Sequence, residues 1–179
     1  MSPTPAWGAV ILAAGEGRRM GGRPKGALCL DGVPVLRRQV RALQACGVGH
    51  VVVVLGRHAA ALAPLVADLG VQPVALPPTM SDLIASQRAG LVQLPPTVDA
   101  AMLLLADQVL LNEADLREVQ TAWAGRDPAV HSLYPVVAGQ RGHPVLLSGS
   151  AVAAVCAQAE GQGVRHWQQQ AGPMAVQAW

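Results

Sequence analysis

The 179-residue chain has no phenylalanine, one tyrosine and a single lysine, Lys25, against twelve arginines. A core built without phenylalanine must take its volume from Ala, Val and Leu. The four tryptophans, Trp7, Trp123, Trp167 and Trp179, read as packing residues rather than as a base-stacking platform. Charged residues make up only 13% of the chain and hydrophobic ones 51%, the composition of a folded protein and not of a disordered one. The net charge is +2, and no basic run exceeds a pair such as Arg37-Arg38, which argues against a nucleic-acid-binding surface. Three scattered cysteines, Cys29, Cys46 and Cys156, form no CxxC pair. Neither a disulfide framework nor a zinc site is expected, and free thiols suit a reducing cytoplasm. His50, His58, His131 and His166 show no metal-ligand spacing. No apolar span reaches the roughly 18 residues of a membrane helix, and the opening MSPTPAWG lacks the charged region of a signal peptide.

What is present is an alternation of apolar runs and helical patterns over a length that fits one domain, residues 1–179. Continuous apolar runs at Ala9–Ala13, His50–Leu55 and Ala100–Leu105 read as strands buried on both faces, with a short strand at Val71–Ala75. Helices are expected over Pro34–Cys46, ending at Gly47, over Ala59–Leu69 around Pro64, and from a Ser81 cap to Val92. A further helix should follow Asn112 to Trp123, with Glu113 and Asp115 in its first turn. Strands at Ala129–Val137 and Pro144–Leu147, helices at Ser150–Glu160 and Val164–Gln170, and an edge strand within Met174–Trp179 complete the pattern. Such alternation implies an α/β fold with a mainly parallel sheet, in which ligands bind beyond the carboxyl ends of the strands.

Two segments put distinctive chemistry at those ends. The first strand runs into GEGRRMGGRPK, where small residues let the backbone approach a ligand and free N–H groups can cradle phosphate oxygens. Arg18 and Lys25 would add charge-assisted contacts. The loop is not a dinucleotide fingerprint: Gly15 and Gly17 fit GxGxxG, but Met20 stands at the third glycine and no acid ends the second strand. Nor is it a Walker A loop, since Lys25 follows Pro24 and precedes Gly26. The second segment is Ala106-Asp107-Gln108, which places a carboxylate after an apolar strand, where it could hold a divalent cation among triphosphate oxygens.

The string LAAGEGRRMGGRPK resembles the LAAGxGxRMGxxK signature of the nucleotidyltransferases related to the molybdenum cofactor cytidylyl- and guanylyltransferases. The spacing to the lysine is one residue longer here. The resemblance implies a three-layer α/β/α, Rossmann-like fold of the nucleotide-diphospho-sugar transferase type. It implies nucleotide contacts at Leu12, Ala13, Ala14, Gly15, Gly17, Arg18 and Lys25, with Arg18 and Lys25 on the phosphates. Asp107 matches the metal-binding aspartate of the family's DQP motif, although Val109 replaces its proline. Lys25, Arg18 and Asp107 are thus the candidate catalytic residues, and Mg²⁺ or Mn²⁺ the implied cofactor.

The segment Met80–Leu91 is similar to the family's MSxSLRAGL stretch and adds Ser86, or Asp82, to the nucleotide side. Gly139–Leu147 (GQRGHPVLL) is similar to the cytidylyltransferase branch and brings in His143 as an acceptor-side candidate. Beyond about residue 148 the likeness thins. Where relatives show GDxGAR, this chain has Glu160-Gly161-Gln162-Gly163-Val164-Arg165, so Glu160 is the nearest acid for a second metal ligand. The implied reaction moves a nucleotidyl group from an NTP, with CTP favoured, to a phosphorylated small molecule, with molybdopterin favoured, releasing pyrophosphate. GTP or another small acceptor is the alternative within the class. A nucleotide- or cofactor-binding protein that has lost turnover is the alternative outside it.

Overall fold

The computed structural model describes residues 5–17, 21–80 and 82–179. Its centre is strand β1 (Trp7–Ala13), in which every residue is buried. It runs parallel between β4 (His50–Leu55) and β6 (Ala100–Leu105), pairing Val10 with Val52 on one side and with Leu103 on the other. Outside β4 lies β5 (Gln72–Ala75), also parallel. Beyond β6 the sheet continues through β10 (Val145–Ser148), β7 (Ser132–Tyr134) and β11 (Val176–Ala178). The order across seven strands is β11-β7-β10-β6-β1-β4-β5, and β10 alone runs against its neighbours. Two short antiparallel pairs, β2 (Cys29–Leu30) with β3 (Val33–Pro34) and β8 (Val136–Val137) with β9 (Gln140–Arg141), stand apart from the main sheet.

The period-two alternation of β1 sorts its side chains to two cores. Ala9, Ile11 and Ala13 face helices α1 (Val35–Ala45) and α4 (Glu113–Ala124), where Leu36, Val40, Leu43, Leu116 and Trp123 are buried. Val10 and Leu12 face α3 (Leu83–Leu91), α5 (Gly149–Ala157) and α6 (Val164–Ala171) through Leu91, Val155 and Val164. The result is the expected three-layer α/β/α arrangement. With no phenylalanine available, the first core holds an edge-to-face aromatic contact, Trp7 on Trp123 at 6.1 Å, capped by the Arg126 guanidinium 3.6 Å over the Trp123 ring.

Three expected elements are shorter than the sequence pattern suggested. Helix α2 spans only Ala59–Leu62 and tightens into a 3-10 turn at Ala63–Leu65, because Pro64 brings no N–H to continue the ladder. The strand expected over Ala129–Val137 is split at Pro135 into β7 and β8. Helix α5 stops at Ala157 rather than Glu160. Helix α3 is capped by Asp82, whose Oδ1 accepts from Ala85 N at 2.8 Å; the expected cap Ser81 lies outside the described residues. The helix expected after Asn112 is α4, and Asn112 caps it, with a reciprocal bond from its own N–H to Asp115. Among the described residues no helix is long and apolar enough to cross a membrane.

Candidate active site

The carboxyl ends of β1 and β6 are adjacent, with Leu12 opposite Leu105 and Ala106 N donating to Leu12 O at 3.1 Å. The chain leaving β1 and the chain leaving β6 therefore emerge side by side. After β1 the backbone passes through Ala14–Gly17, and Gly22 N returns to Gly17 O at 3.1 Å to close the loop. Gly17 has φ +65 and the Arg23 carbonyl sits where its Cβ would be, so the turn requires glycine. Gly15 is different. Its φ is not positive and a Cβ there would meet nothing within 4 Å. The fold leaves that space open, as close approach of a ligand to the backbone requires.

Lys25 opens a short 3-10 turn, Lys25–Ala27, anchored by the buried Gly26 against Leu36, Leu62 and Ala106. This anchoring points the Lys25 ammonium at the end of β6, where Nζ lies 2.5 Å from Asp107 Oδ2. The two side chains are 31% and 39% exposed, so the pair faces solvent across the loop. A cleft of about 360 Å³ opens here. Its walls are residues 12–17, the Lys25–Gly26 turn, the 105–107 turn, and Leu83 with Ser86 from α3. Ser86 is 3% exposed and its Oγ donates to Asp82 O at 2.8 Å.

The structure thus brings together Leu12, Ala13, Ala14, Gly15, Gly17, Lys25, Ser86 and Asp107 in one cleft. Arg18 lies outside the described residues. His143 does not line the cleft, but its carbonyl accepts from Gln108 Nε2 at 2.8 Å, which ties it to the residue after Asp107. Burial pushes the His143 imidazole pKa down from 6.5, against the opposing pull of the Asp107 charge.

Glu160 is not brought to Asp107. It lines a second cavity, of about 970 Å³, between α3 and the loop joining α5 to α6. Glu160 and Asp107 thus line different cavities. The physical reason is Arg88, whose guanidinium donates to the carbonyls of Val155, Cys156, Gln158, Ala159 and Gln162. This clamp caps the carboxyl end of α5 and lays the Glu160 loop over α3. Asp82 also faces the second cavity, where it serves as a helix cap.

Sequence reasoning missed two contributors. Arg88 was recognised only as part of a motif, with no signal of its carbonyl partners. Gln39, on α1, donates from Nε2 to Leu105 O at 2.9 Å and to Gln108 O at 3.2 Å, just behind Asp107. Its only sequence signal is a polar residue in an apolar helical stripe.

Chemically, the cleft offers open backbone at Gly15, the Lys25 ammonium and the Asp107 carboxylate, with the acidic residue Glu16 also in its wall, beyond the ends of parallel strands. Residues 9–174 match the family described as the MobA-like NTP transferase domain. Among solved structures, Rv0371c from Mycobacterium tuberculosis H37Rv is 25% identical with a TM-score of 0.77, over 100% of this chain and 89% of that one. The same mycobacterial protein has also been solved in complex with manganese, at a TM-score of 0.72 and 24% identity over 99% of this chain and 88% of that one. The inositol-1-phosphate CTP transferase from T. maritima shares the fold at a TM-score of 0.71 and 16% identity, over 100% of this chain and 86% of that one. The bifunctional enzyme IspD/IspF of Erythrobacter litoralis is 40% identical over 68 residues, which are 37% of this chain and only 18% of that enzyme.

Proposed function

Since the chain belongs to the MobA-like NTP transferase family and is a nucleotidyltransferase, we propose that it transfers a nucleotidyl group from CTP to a phosphorylated small molecule, molybdopterin being the favoured acceptor. The observation that carries this reading is the Lys25–Asp107 pair facing the open backbone at Gly15 within one cleft. The choice of CTP and molybdopterin rests on the likeness of Gly139–Leu147 to the cytidylyltransferase branch. The whole chain, residues 1–179, is read as one transferase domain acting in the cytoplasm.

In the proposed reaction a phosphate oxygen of the acceptor attacks the α-phosphorus of the NTP. The bond between the α-phosphorus and the bridging oxygen breaks, and pyrophosphate leaves with the electron pair. No protein nucleophile is needed. The backbone of Ala14 to Gly17 holds the nucleotide, and Ser86 lines the cleft wall opposite. Lys25, with Arg18, neutralises charge on the phosphates as the bond breaks. Substrate phosphates compete with Asp107 for the Lys25 ammonium, which frees the carboxylate to accept a cation.

The residues fit a magnesium or manganese ion of a particular kind. Among the described residues no group of three His, Cys, Asp or Glu side chains could hold a metal by itself. One carboxylate together with substrate phosphates is a common mode of magnesium binding. When bound there, the ion would draw charge from the phosphate oxygens. Asp107 would be its protein ligand, beside His143 on the acceptor side.

A panel of NTPs, each with and without Mg²⁺, tests the reading by thermal shift and by pyrophosphate release against phosphorylated acceptors including molybdopterin. The expected result is metal-dependent stabilisation, strongest for CTP, and pyrophosphate release with one acceptor. A stronger response to GTP moves the donor within the class. Tight NTP binding with no release across the panel would make the protein a binder.

A further inference from the structure

Helix α1 turns one polar side chain into the core. Its buried stripe reads Val35, Leu36, Gln39, Val40 and Leu43, and Gln39 is 1% exposed. Met or Leu would fill the same space with no hydrogen bond to satisfy. Gln39 instead keeps its Oε1 buried without a partner. A polar group retained half-satisfied in an apolar stripe calls for an explanation.

The explanation lies in its two N–H bonds. Nε2 donates to Leu105 O at 2.9 Å and to Gln108 O at 3.2 Å, the carbonyls that bracket Ala106 and Asp107. One amide therefore grips both ends of the turn that carries the carboxylate. Gln108 extends the grip: its Oε1 accepts from Leu105 N at 3.2 Å, and its Nε2 reaches His143 O. A chain of amide contacts thus runs from α1 through the Asp107 turn to the His143 loop.

The geometry points to Gln39 as a positioning residue for nucleotidyl transfer: it fixes the Leu105–Gln108 turn so that Asp107 is presented to the cleft beside Lys25. The inference rests on the reading of Asp107 as the metal carboxylate. Gln39 touches no substrate and acts only through the turn. Small displacements of such a group are costly, since about 1 Å of misplacement can lower a rate by roughly 100-fold.

The test compares the full-length wild type with Gln39→Met and Gln39→Leu. Three quantities are read: thermal unfolding, kcat and KM for CTP in pyrophosphate release, and Mn²⁺ affinity in the presence of CTP by electron paramagnetic resonance. Both variants should stay folded, with unfolding temperatures near the wild-type value, because losing the two N–H bonds is offset by removing the unpartnered Oε1. Their kcat should fall by roughly 10- to 100-fold, with little change in KM, and Mn²⁺ should bind more weakly. Folded variants with unchanged kcat and Mn²⁺ affinity overturn the inference. So does a lower unfolding temperature with kcat intact, which would assign Gln39 to the core alone. A wild type that releases no pyrophosphate sinks the functional reading instead. The Mn²⁺ titration then decides Gln39, and equal affinities in wild type and variants overturn its positioning role.

Discussion

Lys25 Nζ lies 2.5 Å from Asp107 Oδ2, although 82 positions separate the two residues in the chain. The contact joins the loop after β1 to the turn after β6. It is part-exposed on both sides, and pairs of this kind contribute about 0–1 kcal/mol to folding. Its role is to set two opposite charges at the mouth of one cleft. Lys25→Ala should therefore leave the unfolding temperature within about 4 °C of wild type, as calorimetry would read it. A much larger drop would mean that the pair holds the fold.

Two glycines should behave in opposite ways. Gly15→Ala adds a methyl group to open space, so the fold should tolerate it. The same methyl intrudes where a nucleotide would approach, so NTP binding in titration calorimetry should weaken. Gly90 lies in α3, where a Cβ would collide with Val10 and Val54. Alanine normally favours a helix over glycine, but the overpacking should outweigh that gain. Gly90→Ala should destabilise by about 1–3 kcal/mol in denaturant unfolding.

Arg88 offers a stability prediction away from the cleft. Its guanidinium satisfies five carbonyls at and beyond the end of α5. Arg88→Met keeps much of the apolar stem and leaves those groups to water. A loss of roughly 3 kcal/mol is expected from charged hydrogen bonds of this kind. Hydrogen exchange should quicken first in the 155–163 segment. Exchange that quickens uniformly across the chain would deny the clamp its local role.

His143 sets a pH dependence. Its folded pKa is lowered from 6.5 by burial, so the unfolded chain takes up the proton first as pH falls. The stability it contributes is full above the unfolded pKa. It is lost as pH falls from about 6.5 through the lower folded value. Comparing His143→Gln with wild type by denaturant unfolding between pH 7.5 and pH 5, within the range where histidine titrates, should show a shallower loss in the variant. Parallel curves would remove His143 from the account.

Much of the fold was legible because its central strands are buried on both faces. The continuous apolar runs at His50–Leu55 and Ala100–Leu105 match β4 and β6 to the residue. Two of the boundaries that moved did so at Pro64 and Pro135, where a missing N–H ends a ladder that hydrophobicity alone would continue, and a third moved at the end of α5, after Ala157. In the site, Lys25 and Asp107 could be found because each follows a strand end. The contacts of Gln39 and Arg88 could not, since their partners are backbone carbonyls 66 to 74 positions away. Backbone groups carry no residue identity, so no pattern in the sequence marks them. Glu160, the acid nearest to where relatives carry an aspartate, lines the second cavity beside the Arg88 clamp, a placement that its sequence neighbourhood does not mark.

The central claim is that Lys25 and Asp107 serve one nucleotidyl-transfer site. The most direct measurement is single-turnover pyrophosphate release from CTP and Mg²⁺ with the acceptor identified by the panel, in wild type, Lys25→Ala and Asp107→Asn. A loss of about 100-fold or more is expected in each folded variant. Turnover at the wild-type rate in either variant would contradict it.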